Sequence, residues 1–390
     1  MSPHIRDEVA AVLTASVCDT DVAGAIADCS PSAVGWIPAA AEYHGVTMTL
    51  YRQAREQGPA AEAVTAALRA AVFDHVAIQM RIAADLRLLR SVVDPLTSRW
   101  AVVKGPVLAE AYYGEGNLRS YSDLDVLIDP VELGALLDVV TSAGATMVDV
   151  NWQLVRQSRR GELNLTLPMG TTLDLHWTLI NHEPARSTFA LSTSTLLDRS
   201  IRLHFTGGVD VPTLDPADTL LHLCLHSALS GGYRLGWLLD IRRVAESGAV
   251  DWDAFVQRAR RTRLDLVAAA MLGRAQRHAG ASISPQVMAA LDQGRAWLGL
   301  LRVLERLRPL DSPYRLPLSG QAVISATRSS TTASLAALAG VVPERLVGRR
   351  QSSGSNPLHS ARGDVTDRAA YLQAVVADDA AAAIRERLSR

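Results

Sequence analysis

The sequence predicts an α+β protein, with a mixed sheet in the middle of the chain between N-terminal helices and a C-terminal helical bundle. Three observations predict it. Residues 1–95 carry apolar positions at helical spacing. From Trp100 the texture changes to short apolar or alternating runs: "RWAVVKG", "SDLDVLID", "GELNLTL" and "TTLDLHWTLI". From Asp215 the helical period returns.

Composition sets the frame. A chain of 390 residues with 48% hydrophobic and 20% charged residues has the makings of two or three globular domains. The expected parts are an N-terminal helical region (1–97), an α/β domain (98–212), a helical bundle (213–310), and an extension with a linker and a terminal helix (311–390). A net charge of −1 supplies no global basic field to draw nucleic acid or an anionic membrane. Cys18, Cys29 and Cys224 are odd in number and form no CxxC pair, which points to a reducing compartment. Asp7 and Glu8 precede the first short apolar run, so it reads as an amphipathic helix rather than a signal peptide. No run approaches the roughly 18 apolar residues of a membrane span. A cytoplasmic protein with no membrane partner is expected.

The elements follow in order. "WIPAAAEYHGVTMTLYRQ" predicts helices around a break at Gly45, and 61–93 predicts one long helix or two in sequence. "RWAVVKG" is a strand ending in Lys-Gly, and "PVLAEAYYG" a helix with Pro106 in its first turn. After the "SDLDVLID" strand, "PVELGALLDVVTSAG" is a helix closed by Gly144, and "TMVDVNWQLV" a strand candidate. "GELNLTL" and "TTLDLHWTLI" alternate as strands joined through "PMG". "DPADTLLHLCLHSALSGG" opens the bundle with an Asp-Pro start and a Gly-pair stop, and three more helices follow it to about residue 308. The polar stretch 348–364 reads as a linker before a last helix.

The chemistry sits on the strands. Asp123 and Asp125 share one face, with Leu124, Val126 and Ile128 opposite. Buried carboxylates are costly unless paired, protonated or bound to metal. In "TTLDLHW" the same alternation puts Thr172, Asp174 and His176 on one face. If these strands are neighbours, three carboxylates converge and need a cation. Mg²⁺ or Mn²⁺ accepts such oxygen ligands and suits phosphoryl or nucleotidyl transfer. Upstream, a strand turning at Gly105 into a helix presents amides to an anion, and Lys104 adds a point charge. Arg119 is placed to clamp a phosphate in bidentate fashion. His176 is a candidate for the metal shell or substrate. His222 and His226 have a zinc-capable spacing without a third ligand, so they read as structural, with His226 towards the cleft.

"KGPVLAEAYYGEGNLRSYSDLDVLI" followed by "LDLHW" resembles the nucleotidyltransferase superfamily, with its polymerase-β-like fold. Within it the chain is most similar to bacterial nucleotidyltransferase-like proteins carrying a Lys-Gly…Ser-Asp-x-Asp motif, and more distantly to toxin nucleotidyltransferases of the AbiEii type. The likeness extends over about residues 30–305. It implies that Asp123 and Asp125 bind metal and that Asp174 is the third carboxylate, aiding the acceptor. Gly105 matches the phosphate turn, but Pro106 departs from the usual small residue and has no N–H, so an NTP would lean on Lys104, Arg119 and Ser122. Arg234 and Asp240 match polar positions of the family's helical part, where a salt bridge within the bundle is the plainer account. The implied reaction moves a nucleoside monophosphate from an NTP to a hydroxyl or phosphate of a small-molecule or peptide acceptor, releasing pyrophosphate. A tRNA or protein acceptor, as in toxins, and a non-catalytic nucleotide-binding or interaction module are the alternatives.

Overall fold

Seven strands form one mixed sheet: β1 (Trp100–Val102), β2 (Asp123–Ile128), β3 (Thr146–Met147), β4 (Glu162–Thr166), β5 (Thr172–His176), β6 (Ile201–His204) and β7 (Asp210–Thr213). Their order is β3-β4-β5-β2-β1-β7-β6. The pairs β2/β5 and β1/β7 are parallel and the rest antiparallel. The structure, a computed structural model, describes residues 3–56, 61–114, 119–181, 183–205, 208–291, 294–307, 318–348 and 356–389.

Alternation sorts the sheet's side chains. Leu124, Val126, Leu173 and Leu175 turn to a face covered by the C-terminal half of the long helix Glu62–Val93 (Ile82, Leu86, Leu89) and the helix Leu133–Ser142. Tyr371 and Val375 of the terminal helix Val365–Leu388 close the same core. The buried carboxylate of Asp85, on the long helix, accepts the amides of Met169 (3.0 Å) and Thr171 (3.2 Å). It thereby pins the β4–β5 turn that "PMG" predicts.

The opposite face meets a helical layer in which the N-terminal helices and the helical bundle share one core. Val12, Leu13 and Leu50 from the N-terminal helices pack in the same cluster as Leu220, Leu239 and Leu272. The two sets lock where the Leu235 amide donates to His44 Nδ1 at 3.3 Å. Beside it, a Cβ on Gly236 would stand 2.7 Å from the His44 carbonyl oxygen. The break predicted at Gly45 is real: it caps Ile37–His44 with a left-handed φ of 69°.

Three expectations are corrected. "TMVDVNWQLV" keeps only the two residues of β3 as strand and becomes the helix Trp152–Ser158. Asn151 starts that helix by accepting the Leu154 amide at 3.0 Å, a cap that outweighs the strand-like alternation. Strands β6 and β7 were not anticipated from the sequence, and β7 contains Pro212, a residue type that disfavours strands. The extension after residue 311 holds two further helices, Leu318–Ser325 and Thr331–Gly348, besides the expected terminal one. Much of the expected linker, 349–355, lies outside the described residues.

Candidate active site

Register builds the site. The parallel pairing of β2 with β5 sets Asp125 opposite Asp174, Asp123 opposite Thr172, and Leu127 opposite His176. The hairpin adds Asn164 beside Asp174 and Glu162 beside His176. All project from the face that looks towards the helical layer. Asn164 Nδ2 donates to Asp174 Oδ1 at 2.5 Å. His176 stands between two carboxylates, with Nε2 3.1 Å from Asp125 and Nδ1 3.4 Å from Glu162.

Lys104 arrives through the turn at Gly105, whose φ is 54° and whose added Cβ would come 3.2 Å from the Asp123 carbonyl oxygen. Glycine is therefore required both for the left-handed conformation and for the close approach to β2. The turn sets Lys104 Nζ 2.7 Å from Asp125 Oδ1. The expected cradle of free amides is reduced here. Pro106 has no N–H, and the Val107 amide already donates to the Lys104 carbonyl at 3.3 Å.

Charges in this pocket set one another. Burial opposes ionisation of Asp125, but the Lys104 charge and the His176 hydrogen bond outweigh it and hold the carboxyl far below its usual range. Burial also works against the charges of Lys104 and His176, yet Asp125 raises both. Asp123 and Asp174 are pushed up, by burial first and by the Asp125 charge second. Asp125 is thus anionic while its two neighbours lack a full counter-charge.

One ligand atom from each of Asp125, Asp174 and His176 lies within 4.8 Å of the others, the one group of three metal-capable side chains found among the described residues. Of the expected trio of carboxylates, Asp125 and Asp174 fall in this group together with His176, and Asp123 borders both lobes beside them. Two hard oxygens, an imidazole and a surplus of unneutralised carboxyls fit a divalent cation of the Mg²⁺ or Mn²⁺ type. His222 and His226 form no such group. Burial, then the Lys104 charge, pushes His222 down to about 3, so it is neutral, and His226 is pushed down likewise.

Two lobes meet at Asp123 and Asp125. The smaller, of about 240 Å³, is bordered by Lys104, Gly105, Ser122 and Arg234. The larger, of about 460 Å³, is bordered by Asp174, His176, Glu162 and Asn181. His226 and Lys104 border both. Arg119 and Asp240 also border the smaller lobe but bind each other, at 2.8 Å and 2.9 Å. Asp240 therefore does not pair with Arg234, whose guanidinium lies over the rings of Tyr43 and Trp237. Glu162 and Asn164 were missed by sequence reasoning, although the alternation in "GELNLTL" puts both on one polar face. Ser325 and Arg328, which also border the larger lobe, come from the extension, where no motif signals them.

Against this geometry the comparison with known families is decisive. The sequence model of a family described as an uncharacterised nucleotidyltransferase matches residues 31–280. The chain belongs to this family. The nucleotidyltransferase match contains every sheet residue of the site and both histidines of the bundle helix, and it ends before Ser325 and Arg328. The α+β fold with its mixed sheet agrees with the polymerase-β-like fold of nucleotidyltransferases. No curated protein matches the chain. Among the described residues, no helix is long and apolar enough to cross a membrane.

Proposed function

We propose that this nucleotidyltransferase moves a nucleoside monophosphate from an NTP to a hydroxyl or phosphate of a small-molecule or peptide acceptor, in a Mg²⁺- or Mn²⁺-dependent reaction that releases pyrophosphate. One observation carries the reading: the register that sets Asp125 against Asp174, with Lys104 Nζ 2.7 Å from Asp125. Asp125, Asp174 and His176 would hold the cation, with Asp123 beside them where the lobes meet. When bound, the cation polarises a phosphoryl oxygen and supplies the positive charge that the carboxyls lack. Lys104 and Ser122 take the triphosphate in the smaller lobe, and Arg119 braces that lobe from behind through Asp240.

The larger lobe receives the acceptor. Asp174, oriented by Asn164, faces the acceptor and takes the proton of the attacking hydroxyl. His176 fixes the Asp125 carboxylate from the other side and is itself steadied by Glu162. The sheet part, 98–212, is the catalytic domain in this reading, and the helical layer supplies the opposite wall. A cavity of about 460 Å³ suits a small acceptor or the tip of a peptide.

Incubation with each labelled NTP, Mg²⁺ or Mn²⁺, and a fractionated small-molecule extract tests the proposal. Pyrophosphate release matched by a labelled acceptor is expected. NTP binding without transfer to any acceptor fraction, with label appearing instead on tRNA or protein, would favour the toxin-like alternative. Binding without any transfer would favour the non-catalytic module.

A further inference from the structure

The larger lobe is finished by a part of the chain outside the family match. After the helix Leu318–Ser325 the backbone turns, and Arg328 borders the same lobe as the carboxylates. The turn is firmly held. Trp297 Nε1 donates to Thr327 Oγ1 at 3.0 Å, and the Arg328 amide donates to Ser334 Oγ at 2.9 Å. Trp297, Thr327 and Ser334 are fully buried. The helix itself docks on the Gly pair that ends Pro216–Leu229. A Cβ on Gly231 would come 2.9 Å from Gln321, and one on Gly232 3.0 Å from Ile324.

Arg328 is only 7% exposed. Its Nη1 donates to the carbonyls of Ser325 (2.8 Å) and Thr327 (2.9 Å), which fixes the plane of the guanidinium. The Nε and Nη2 donors have no partner among the described residues, and no carboxylate there pairs with the side chain. A buried guanidinium without an anion is costly, and its open edge has the fork geometry that matches a carboxylate or phosphate. Of the acids bordering the lobe, Asp125 and Glu162 are paired with Lys104 and His176 and Asp174 accepts from Asn164, while none pairs with Arg328.

We propose that Arg328 seats an anionic group, a carboxylate or a phosphate, carried by the acceptor. The inference rests on the nucleotidyl-transfer reading for the word acceptor, and on the geometry alone for the anion. Arg328 borders the lobe that contains Asp174 and not the one formed by Gly105 and Ser122. It therefore holds the acceptor rather than the triphosphate. An acceptor anchored there presents its other end to Asp174.

Thermal midpoints of the full chain in increasing malonate or inorganic phosphate, at fixed ionic strength, test this, because a ligand bound to the folded state raises the midpoint. The wild type is expected to respond to at least one of the two, malonate reporting a carboxylate seat and phosphate a phosphate seat. Arg328→Gln should raise the half-saturating concentration at least tenfold. Arg328→Lys, which keeps the charge and a donor to the carbonyls but loses the fork, should fall between and serves if the glutamine variant does not fold. MgATP affinity by calorimetry should be unchanged in both variants. Equal anion responses in wild type and variants would overturn the proposal, leaving Arg328 a brace for its own turn. Weakened MgATP binding with anion responses intact would overturn it too, placing Arg328 on the donor. A wild type that binds none of the Mg²⁺-NTPs yet keeps the Arg328-dependent response would sink the transfer reading and leave the anion seat standing.

Discussion

Arg119 grips Asp240 with a two-pronged fork, Nε to Oδ1 at 2.8 Å and Nη2 to Oδ2 at 2.9 Å, across 121 residues of chain. Tyr113 Oη donates to the same Oδ1 at 2.6 Å, and Arg119 Nη1 reaches the Gly105 carbonyl at 3.4 Å. The pair thus ties the helix Leu235–Ala245 to the turn that carries Lys104. Asp240→Asn would leave a buried guanidinium without its counter-charge. The expected cost is about 3–5 kcal/mol. It is read as a lower urea midpoint, and an unchanged midpoint would show that the pair anchors nothing.

Lys104→Ala should weaken NTP binding about tenfold or more, the loss of roughly 1.4 kcal/mol of phosphate attraction. Calorimetry on the purified variant measures it, with the thermal midpoint as a check on the fold. Undiminished affinity would assign Lys104 to neutralising Asp125 alone.

Asp125→Asn keeps the size of the side chain and removes the carboxylate that Lys104 and His176 share. Loss of one metal ligand should slow pyrophosphate release on the order of a thousandfold. Mn²⁺ binding followed by electron paramagnetic resonance should weaken in parallel. A variant that turns over at the wild-type rate would move the chemistry away from this carboxylate.

Acid should destabilise the fold through two imidazoles. Burial, helped by Arg234 near His44 and by Lys104 near His222, pushes both down from 6.5 to about 3. The folded chain therefore keeps them neutral where the unfolded chain would protonate them. Their contribution is complete above pH 6.5 and is lost as pH falls towards about 3. Each costs up to about 1.4 kcal/mol per pH unit across that window. His44→Asn keeps an acceptor for the Leu235 amide and cannot protonate there, so the gap between urea midpoints at neutral and acid pH should narrow. An identical gap would remove His44 from the acid response.

Gly236→Ala tests the joint between the N-terminal helices and the helical bundle. Its Cβ would stand 2.7 Å from the His44 carbonyl oxygen and 2.9 Å from that of Gly45, both backbone atoms with little room to move. Overpacking of this kind costs about 1–3 kcal/mol. Urea titration gives the value, and no loss would mean that the helices separate freely.

Much of the site was legible because strand alternation is local. Asp123, Asp125, Asp174 and His176 fall on one face by period two alone, and the pairing of β2 with β5 sets them side by side. Glu162 and Asn164 needed the hairpin register as well, and that is fixed by a tertiary contact from Asp85 to the turn. The role of Arg119 was obscured because its partner lies 121 residues away. Arg328 was beyond reach for the same reason. Nothing in its neighbourhood announces chemistry, and its place depends on how a helix docks against Gly231 and Gly232. The strand wrongly read at 146–155 failed at Asn151, where a side-chain cap overrode the alternation.

The helix Glu62–Val93 runs 32 residues without a break, about 48 Å at the usual rise. Val64 and Leu68 are set in the helical core, while Ile82, Leu86 and Leu89 are set in the core under the sheet. It is a beam with one end built into each wall of the cleft. Pulling the walls apart would bend the beam or tear an end from its socket, so the gap keeps a nearly constant width. Entry and exit of substrates then fall to side chains and loop edges rather than to hinged jaws. Heating should likewise loosen both walls together, as one calorimetric transition.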